Sequence, residues 1–215
     1  MPLTLVHHVS DGLHRCSWCG HGDASLDYIH YHDHEWGMPV VDETRLFEKI
    51  TLEGFQSGLS WITVLRKRDR FRTVFKGFDV EQVARFTDED VERLVLDAGI
   101  IRHRGKIESC INNARRVCDL IDRQGPGALA RLVWGHEPEP ASRPARITPE
   151  AARILSQSPE SVALSKSLKK LGLSFVGPTT MYAFMQSMGV VNDHLDGCHH
   201  RTSCQAARAT FTRPA

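Results

Sequence analysis

Apolar positions recur at helical spacing along most of the chain. Asp42 reads as an N-cap, followed by Leu46, Phe47 and Ile50 on one face. Ser60 opens a second segment with Trp61, Val64 and Leu65, continued by Phe71, Val74 and Phe75. Thr87 caps a third with Val91, Leu94, Val95 and Ala98, and its acidic first turn, Asp88-Glu89-Asp90, suits the positive end of a helix dipole. Ile107, Ile111, Ala114, Cys118 and Ile121 form the cleanest amphipathic stripe. Residues 125–149 break the pattern. Gly125-Pro126-Gly127 ends a helix, a short apolar piece spans Leu129 to Trp134, and Glu137-Pro138-Glu139-Pro140 with Arg143-Pro144 marks an exposed loop. Ser158-Pro159 restarts a helix whose core face is Leu164, Leu168 and Leu171. No stretch alternates with period two, and no repeat is present. The expectation is an all-α protein with one domain over residues 15–199, and loose tails at 1–14 and 200–215.

Length and charge narrow the class. A chain of 215 residues fits one helical domain. Lys and Arg number 27 against 26 Asp and Glu, which excludes a strongly basic nucleic-acid coat but leaves room for local patches. No apolar run approaches the roughly 18–20 residues a membrane helix needs. Met1 to Ser10 lack the basic start and apolar run of a secretory signal, so the expected compartment is the cytoplasm. There, 6 Cys and 12 His point to metal or catalysis before disulfides. Cys110 and Cys118 fall on an apolar helical face and read as packing residues.

The helix from 159 ends at Gly172. Leu173-Ser174-Phe175-Val176-Gly177-Pro178-Thr179-Thr180 follows, and another helix runs from about Pro178 to Met188. Residues 159–188 therefore match a helix-hairpin-helix module. Gly177 has no side chain, so backbone N–H groups at the second helix's start can approach a phosphate. Phe175, Gly177 and Thr179 are the candidate DNA contacts. Leu173, Phe175 and Val176 are expected to pin the turn to the core. The bland alternative is an ordinary antiparallel helix pair. The basic stretches Arg66-Lys67-Arg68 and Arg102-His103-Arg104 read as solvated faces unless they share a surface with this turn.

Cys16 and Cys19 have the spacing of a zinc knuckle, and His30, His32 and His34 follow. Near the other end, His194 and Cys198 are close enough for one turn to present both to an ion. Zinc takes about four N or S ligands. If the two clusters share an ion, the metal is structural and ties the ends together. A finger built from Cys16, Cys19 and two nearby His is the alternative. Glu53 closes an apolar helix, where a carboxylate is out of place unless it lies at a surface edge. Beside Tyr28, Tyr31 and Trp61 it could instead serve a pocket for a flat, electron-poor heterocycle.

Six blocks make the chain recognisable: Arg15-Cys16-Ser17-Trp18; Tyr28-Ile29-His30-Tyr31-His32-Asp33-His34-Glu35-Trp36-Gly37; Leu52-Glu53-Gly54; Gly58 to Leu65; Asp97 to Ile107; and Val191-Asn192-Asp193-His194. In this order they resemble the DNA-3-methyladenine glycosylase I, or Tag, family over about residues 15–199. The resemblance implies a helix-hairpin-helix DNA glycosylase fold carrying one structural zinc ion and no organic cofactor. It implies a monofunctional N-glycosyl hydrolase acting as a monomer on double-stranded alkylated DNA, which flips out and releases 3-methyladenine and leaves an abasic site. Matched block by block, the metal ligands are Cys16, His32, His194 and Cys198. Glu53 is the catalytic and base-recognition carboxylate, and Tyr28, Tyr31 and Trp61 line the base site. The segment Gly20 to Asp27 is longer than the usual family loop, which leaves Cys19 as a rival to Cys16.

Methylation at N3 makes adenine a cationic, good leaving group. The enzyme then needs to extract the nucleotide, hold it and stabilise an oxocarbenium-like sugar, rather than supply a strong acid. Glu53 is thus expected to recognise and stabilise. Asp193 lies where related hairpin glycosylases carry an Asp, but its neighbour His194 makes support of the metal an equal expectation. A non-catalytic, zinc-stabilised DNA-binding module is the rival reading, and gives Glu53 and Trp61 no role.

Overall fold

The computed structural model describes residues 4–8, 10–20 and 25–214, and these are overwhelmingly helical. The first elements correct the expectation of a loose N-terminal tail. Leu5–His8 (β1) and Leu13–Cys16 (β2) pair antiparallel, with Leu5 opposite Cys16. A single 3-10 turn, Ser17–Cys19, leads on. After residues 21–24, which lie outside the described chain, α1 spans Leu26–His34.

The central helix is α2, Glu43–Gln56. Asp42 caps it as expected, its Oδ1 accepting the Arg45 N–H at 2.8 Å. Short helices follow at α3 (Trp61–Leu65), α4 (Arg68–Val74) and α5 (Val80–Ala84). In α6, Asp88–Val95, the Asp90 carboxylate accepts the Thr87 N–H at 3.1 Å, which closes a capping box. The clean stripe becomes the long α7, Arg104–Gln124, and the apolar piece beyond it becomes α8, Ala128–Trp134. At the end of the broken stretch, Pro149–Ile154 forms α9, capped by Thr148. Then come α10, Pro159–Lys170, with a reciprocal Ser158–Ser161 cap, and α11, Pro178–Ser187. The C-terminal tail is also corrected, because His199–Thr210 is a helix, α12.

Phe47, Phe55, Phe71, Phe75, Leu94, Ile107, Leu164, Leu168 and Phe184 are buried in one core, and α2 packs against α3, α7, α8 and α11. Because α2 is enclosed on so many sides, Glu53 on its last turn is buried despite its charge. A smaller cluster of Cys16, Ile147, Leu195 and Cys198 joins the two ends of the chain. No helix of the described residues is long and apolar enough to cross a membrane.

Candidate active site and metal centre

A cavity of about 510 Å³ opens beside the end of α2, with walls that include Trp18, Tyr28, Tyr31, Trp36 and Trp61 and with Glu53 among its polar groups. Glu53 sits one turn from the C-terminus of α2 and is only 5% exposed. Between α2 and α3 the chain turns at Gly58, which has φ +81°, and Trp61 is the first residue of α3. That short turn is how two side chains eight positions apart come to border one cavity. The Tyr28 hydroxyl accepts the Ile62 N–H at 2.9 Å and so fixes the start of α3. Tyr31 packs against Trp61 with ring centroids 5.4 Å apart, and burial pushes its phenol pKa well up.

Four features at this wall or behind it escaped the sequence reading. Lys49, one turn before Glu53, places Nζ 2.9 Å from Glu53 Oε1 and donates to the Tyr31 hydroxyl at 2.7 Å. Burial lowers its pKa, and Glu53 pulls the other way. The signal was a lysine on the buried face of α2. Trp18 and Trp36 also border the cavity, their rings 5.1 Å apart. Both stood inside recognised blocks. The Trp61 indole N–H is buried and has no hydrogen-bond partner within the protein.

Asp193 is the second carboxylate at the cavity, and its partners correct the expectation that it supports the metal. It accepts from Tyr182 Oη at 2.7 Å and Gln186 Nε2 at 2.8 Å, and it pairs with Arg143. The acid that supports the Cys–His cluster is Asp33. Its Oδ1 lies 2.7 Å from His32 Nδ1 and 3.0 Å from His199 Nε2, and Arg15 forks onto both of its oxygens. Burial alone would raise the Asp33 pKa, but Arg15, His32 and His199 hold it well below the usual carboxylate range.

Cys16, His32, His194 and Cys198 meet as one buried group. Cys198 Sγ is 3.4 Å from His32 Nε2 and 3.5 Å from His194 Nδ1, and Cys16 Sγ is 3.9 Å from His194 Nδ1. Metal–ligand arms of about 2.0–2.3 Å make tetrahedron edges of about 3.3–3.8 Å, so the donor set fits zinc. The far ring nitrogens are occupied as metal histidines require: His32 Nδ1 by Asp33, and His194 Nε2 by the Trp36 carbonyl at 2.9 Å. A hydrogen bond from the Cys16 thiol favours thiolate at Cys198, while Cys16 itself is held protonated by that thiolate and by burial. A positive ion between them would draw both to thiolate. The Cys19 sulfur instead donates to the Cys16 carbonyl at 2.9 Å, and His30 packs against His34 with ring centroids 4.6 Å apart, so the finger of Cys16, Cys19 and two nearby His does not assemble.

At the hairpin, Leu173 and Val176 are buried as expected. Phe175 is not: it is 40% exposed with φ +56°, which corrects its expected role as a core anchor and leaves it an outward one. The Phe175 Cβ would lie 3.2 Å from a Cβ placed on Gly54, so a glycine beside Glu53 lets the turn rest on α2. At Gly177 the nearest atom to an added Cβ is Thr180 Oγ1, at 3.9 Å. Nothing inside the protein demands a glycine there. Thr179 is exposed on the first turn of α11. The other basic stretches are largely paired, Arg66 with Asp27, Arg68 with Glu35, Arg70 with Asp97 and Arg104 with Glu92.

Residues 18–202 match the family model described as methyladenine glycosylase. The chain is 48% identical over 193 residues to DNA-3-methyladenine glycosylase 1 of Escherichia coli (strain K12), covering 86% of this chain and 96% of that one. A crystal structure of 3-methyladenine DNA glycosylase I superposes with a TM-score of 0.76 at 45% identity, covering 86% of this chain and 98% of that chain. A tyrosine-to-phenylalanine variant of such a glycosylase, solved in complex with 3-methyladenine, superposes at 0.73 with 30% identity, over 82% and 92% of the two chains.

Proposed function

The chain belongs to the methyladenine glycosylase family, and on that premise we propose that it is a DNA-3-methyladenine glycosylase that excises the alkylated base at the cavity beside Glu53. In DNA the methylated adenine is cationic. When the bond from C1′ to the base breaks, its electron pair leaves with the base, which becomes neutral, and water adds at C1′ and gives up a proton to solvent, leaving an abasic site. The protein's own work is to draw the nucleotide out of the stack, hold the base and stabilise the developing positive charge on the sugar.

Tyr28, Tyr31 and Trp61 supply flat walls for the base, and Glu53 accepts hydrogen bonds from its polar edge. The carrying observation is that Glu53 is buried, ionic and bordered by aromatic rings, an arrangement with no purpose in a module that only grips DNA. Phe175, Gly177 and Thr179 contact the DNA backbone, where a helix N-terminus with open space at Gly177 suits a phosphate. Cys16, His32, His194 and Cys198 hold one zinc ion, which supplies structural closure rather than chemistry. The catalytic unit is residues 15–199 and works as a monomer in the cytoplasm.

The test is base release from methylated duplex DNA. Wild type should free 3-methyladenine, and Glu53→Gln should free it about 5- to 150-fold more slowly, a loss of about 1–3 kcal/mol when a charge-assisted hydrogen bond becomes neutral. Release by Glu53→Gln at the wild-type rate would remove Glu53 from the reaction.

A further inference from the structure

Two buried residues of α12 lie beside the Cys–His group without belonging to it. Cys204 is fully buried, and His200 is 9% exposed, its Nε2 buried and unpartnered within the protein. A ring nitrogen of His194, one of His200 and the sulfur of Cys204 lie within 4.8 Å of one another. Met38, between α1 and α2, brings its sulfur to 3.8 Å from Cys204 Sγ. A glycine makes this approach possible, because a Cβ on Gly37 would lie 3.1 Å from Cys204 Sγ and 3.0 Å from His194 Nε2. We propose that Cys204, His200 and Met38 form a second metal site, which takes one monovalent copper ion and is separate from the group of Cys16, His32, His194 and Cys198.

The two sites divide at His194. Its Nδ1 faces Cys16 and Cys198, and its Nε2 is held by the Trp36 carbonyl at 2.9 Å, so it walls the second site without binding there. The Cys204 sulfur is less committed than that of Cys19. Its contacts with the Trp36 carbonyl and with Met38 are both 3.8 Å, against 2.9 Å from Cys19 to a carbonyl. The donor types choose the ion. A thiolate and a thioether are soft ligands that select monovalent copper, whereas hard cations take oxygen. Three donors on arms of about 2.2 Å, close to those of zinc, stand about 3.8 Å apart in a trigonal plane, which is the spacing of the two sulfurs. On binding, the Cys204 thiol gives its proton to solvent. One thiolate then balances one monovalent cation, so the buried site gains no net charge.

The test titrates monovalent copper, without oxygen, into zinc-loaded protein in competition with a colorimetric copper(I) chelator, and counts zinc afterwards. Wild type should take about one copper ion per chain and keep its zinc. Cys204→Ser should weaken copper binding by about tenfold or more, and Met38→Leu, which keeps the volume of the side chain, by about fivefold or more. Cys118→Ser removes a half-buried thiol on α7 and should bind copper as wild type does. X-ray absorption at the copper edge of wild type should show two sulfur neighbours and one nitrogen, a readout that needs no variant to fold. Copper taken up at the expense of zinc overturns the proposal, because the ion then sits in the Cys16 group. So does wild-type affinity in folded Cys204→Ser or Met38→Leu, a copper edge with fewer than two sulfurs, or no copper bound by wild type.

Discussion

At the level of single residues, burial separates roles that spacing left open. Cys16 and Cys19 are both buried, yet only Cys16 turns its sulfur to His194 and Cys198, because Cys19 spends its thiol on a backbone carbonyl three residues back. Asp33 and Asp193 divide similarly. The one beside His32 serves the metal group, and the one beside His194 serves Tyr182 and Gln186. Adjacency to a ligand histidine could not separate the two, because a side chain's direction depends on the fold around it. Asp33→Asn should therefore weaken zinc binding about 10–100-fold, measured by competition with a chelator, while free 3-methyladenine still binds. The pH dependence has a definite sign. A carboxylate whose pKa is depressed in the fold contributes stability above its unfolded pKa and loses it as pH falls. Thermal melts of wild type should drop below about pH 4, and Asp33→Asn should flatten that part of the decline.

Whole elements were legible in the sequence where an apolar stripe and a cap agreed. Asp42, Thr87 and Ser158 mark the starts of α2, α6 and α10, and the stripe from Ile107 to Ile121 lies within α7. The β1–β2 hairpin and α9 were not visible, because four- and six-residue elements are too short to display a period. In α12 the inward residues are His200 and Cys204, which do not read as a hydrophobic face. The hairpin between α10 and α11 was visible, but the outward turn of Phe175 depends on a positive φ that no residue type announces. Gly177→Val should fold and bind free 3-methyladenine normally, since an added Cβ meets nothing closer than 3.9 Å. Its affinity for DNA, read by fluorescence anisotropy, should fall for methylated and unmethylated duplexes alike. Equal affinity in folded wild type and variant would remove the hairpin from the interface.

Across the whole molecule, the cavity and the metal group share a wall. Cys16 ends β2 and Trp18 follows it, Leu195 precedes Cys198, and Cys16 and Leu195 both border the cavity. Closing the ends through a buried ion therefore holds one side of the base site in place. Zinc removal by a strong chelator should lower the melting temperature and weaken 3-methyladenine binding together, with both restored by adding zinc. Cys198→Ser should reproduce the loss without a chelator.

The most direct measurement is a calorimetric titration of free 3-methyladenine into wild type, Glu53→Gln and Trp61→Ala, with zinc content determined for each. Both variants should retain the metal and the fold and bind more weakly, by about 1–3 kcal/mol each, the first through a lost charge-assisted hydrogen bond and the second through lost stacking. Two folded, metal-loaded variants with wild-type affinity would place base recognition elsewhere and contradict the account.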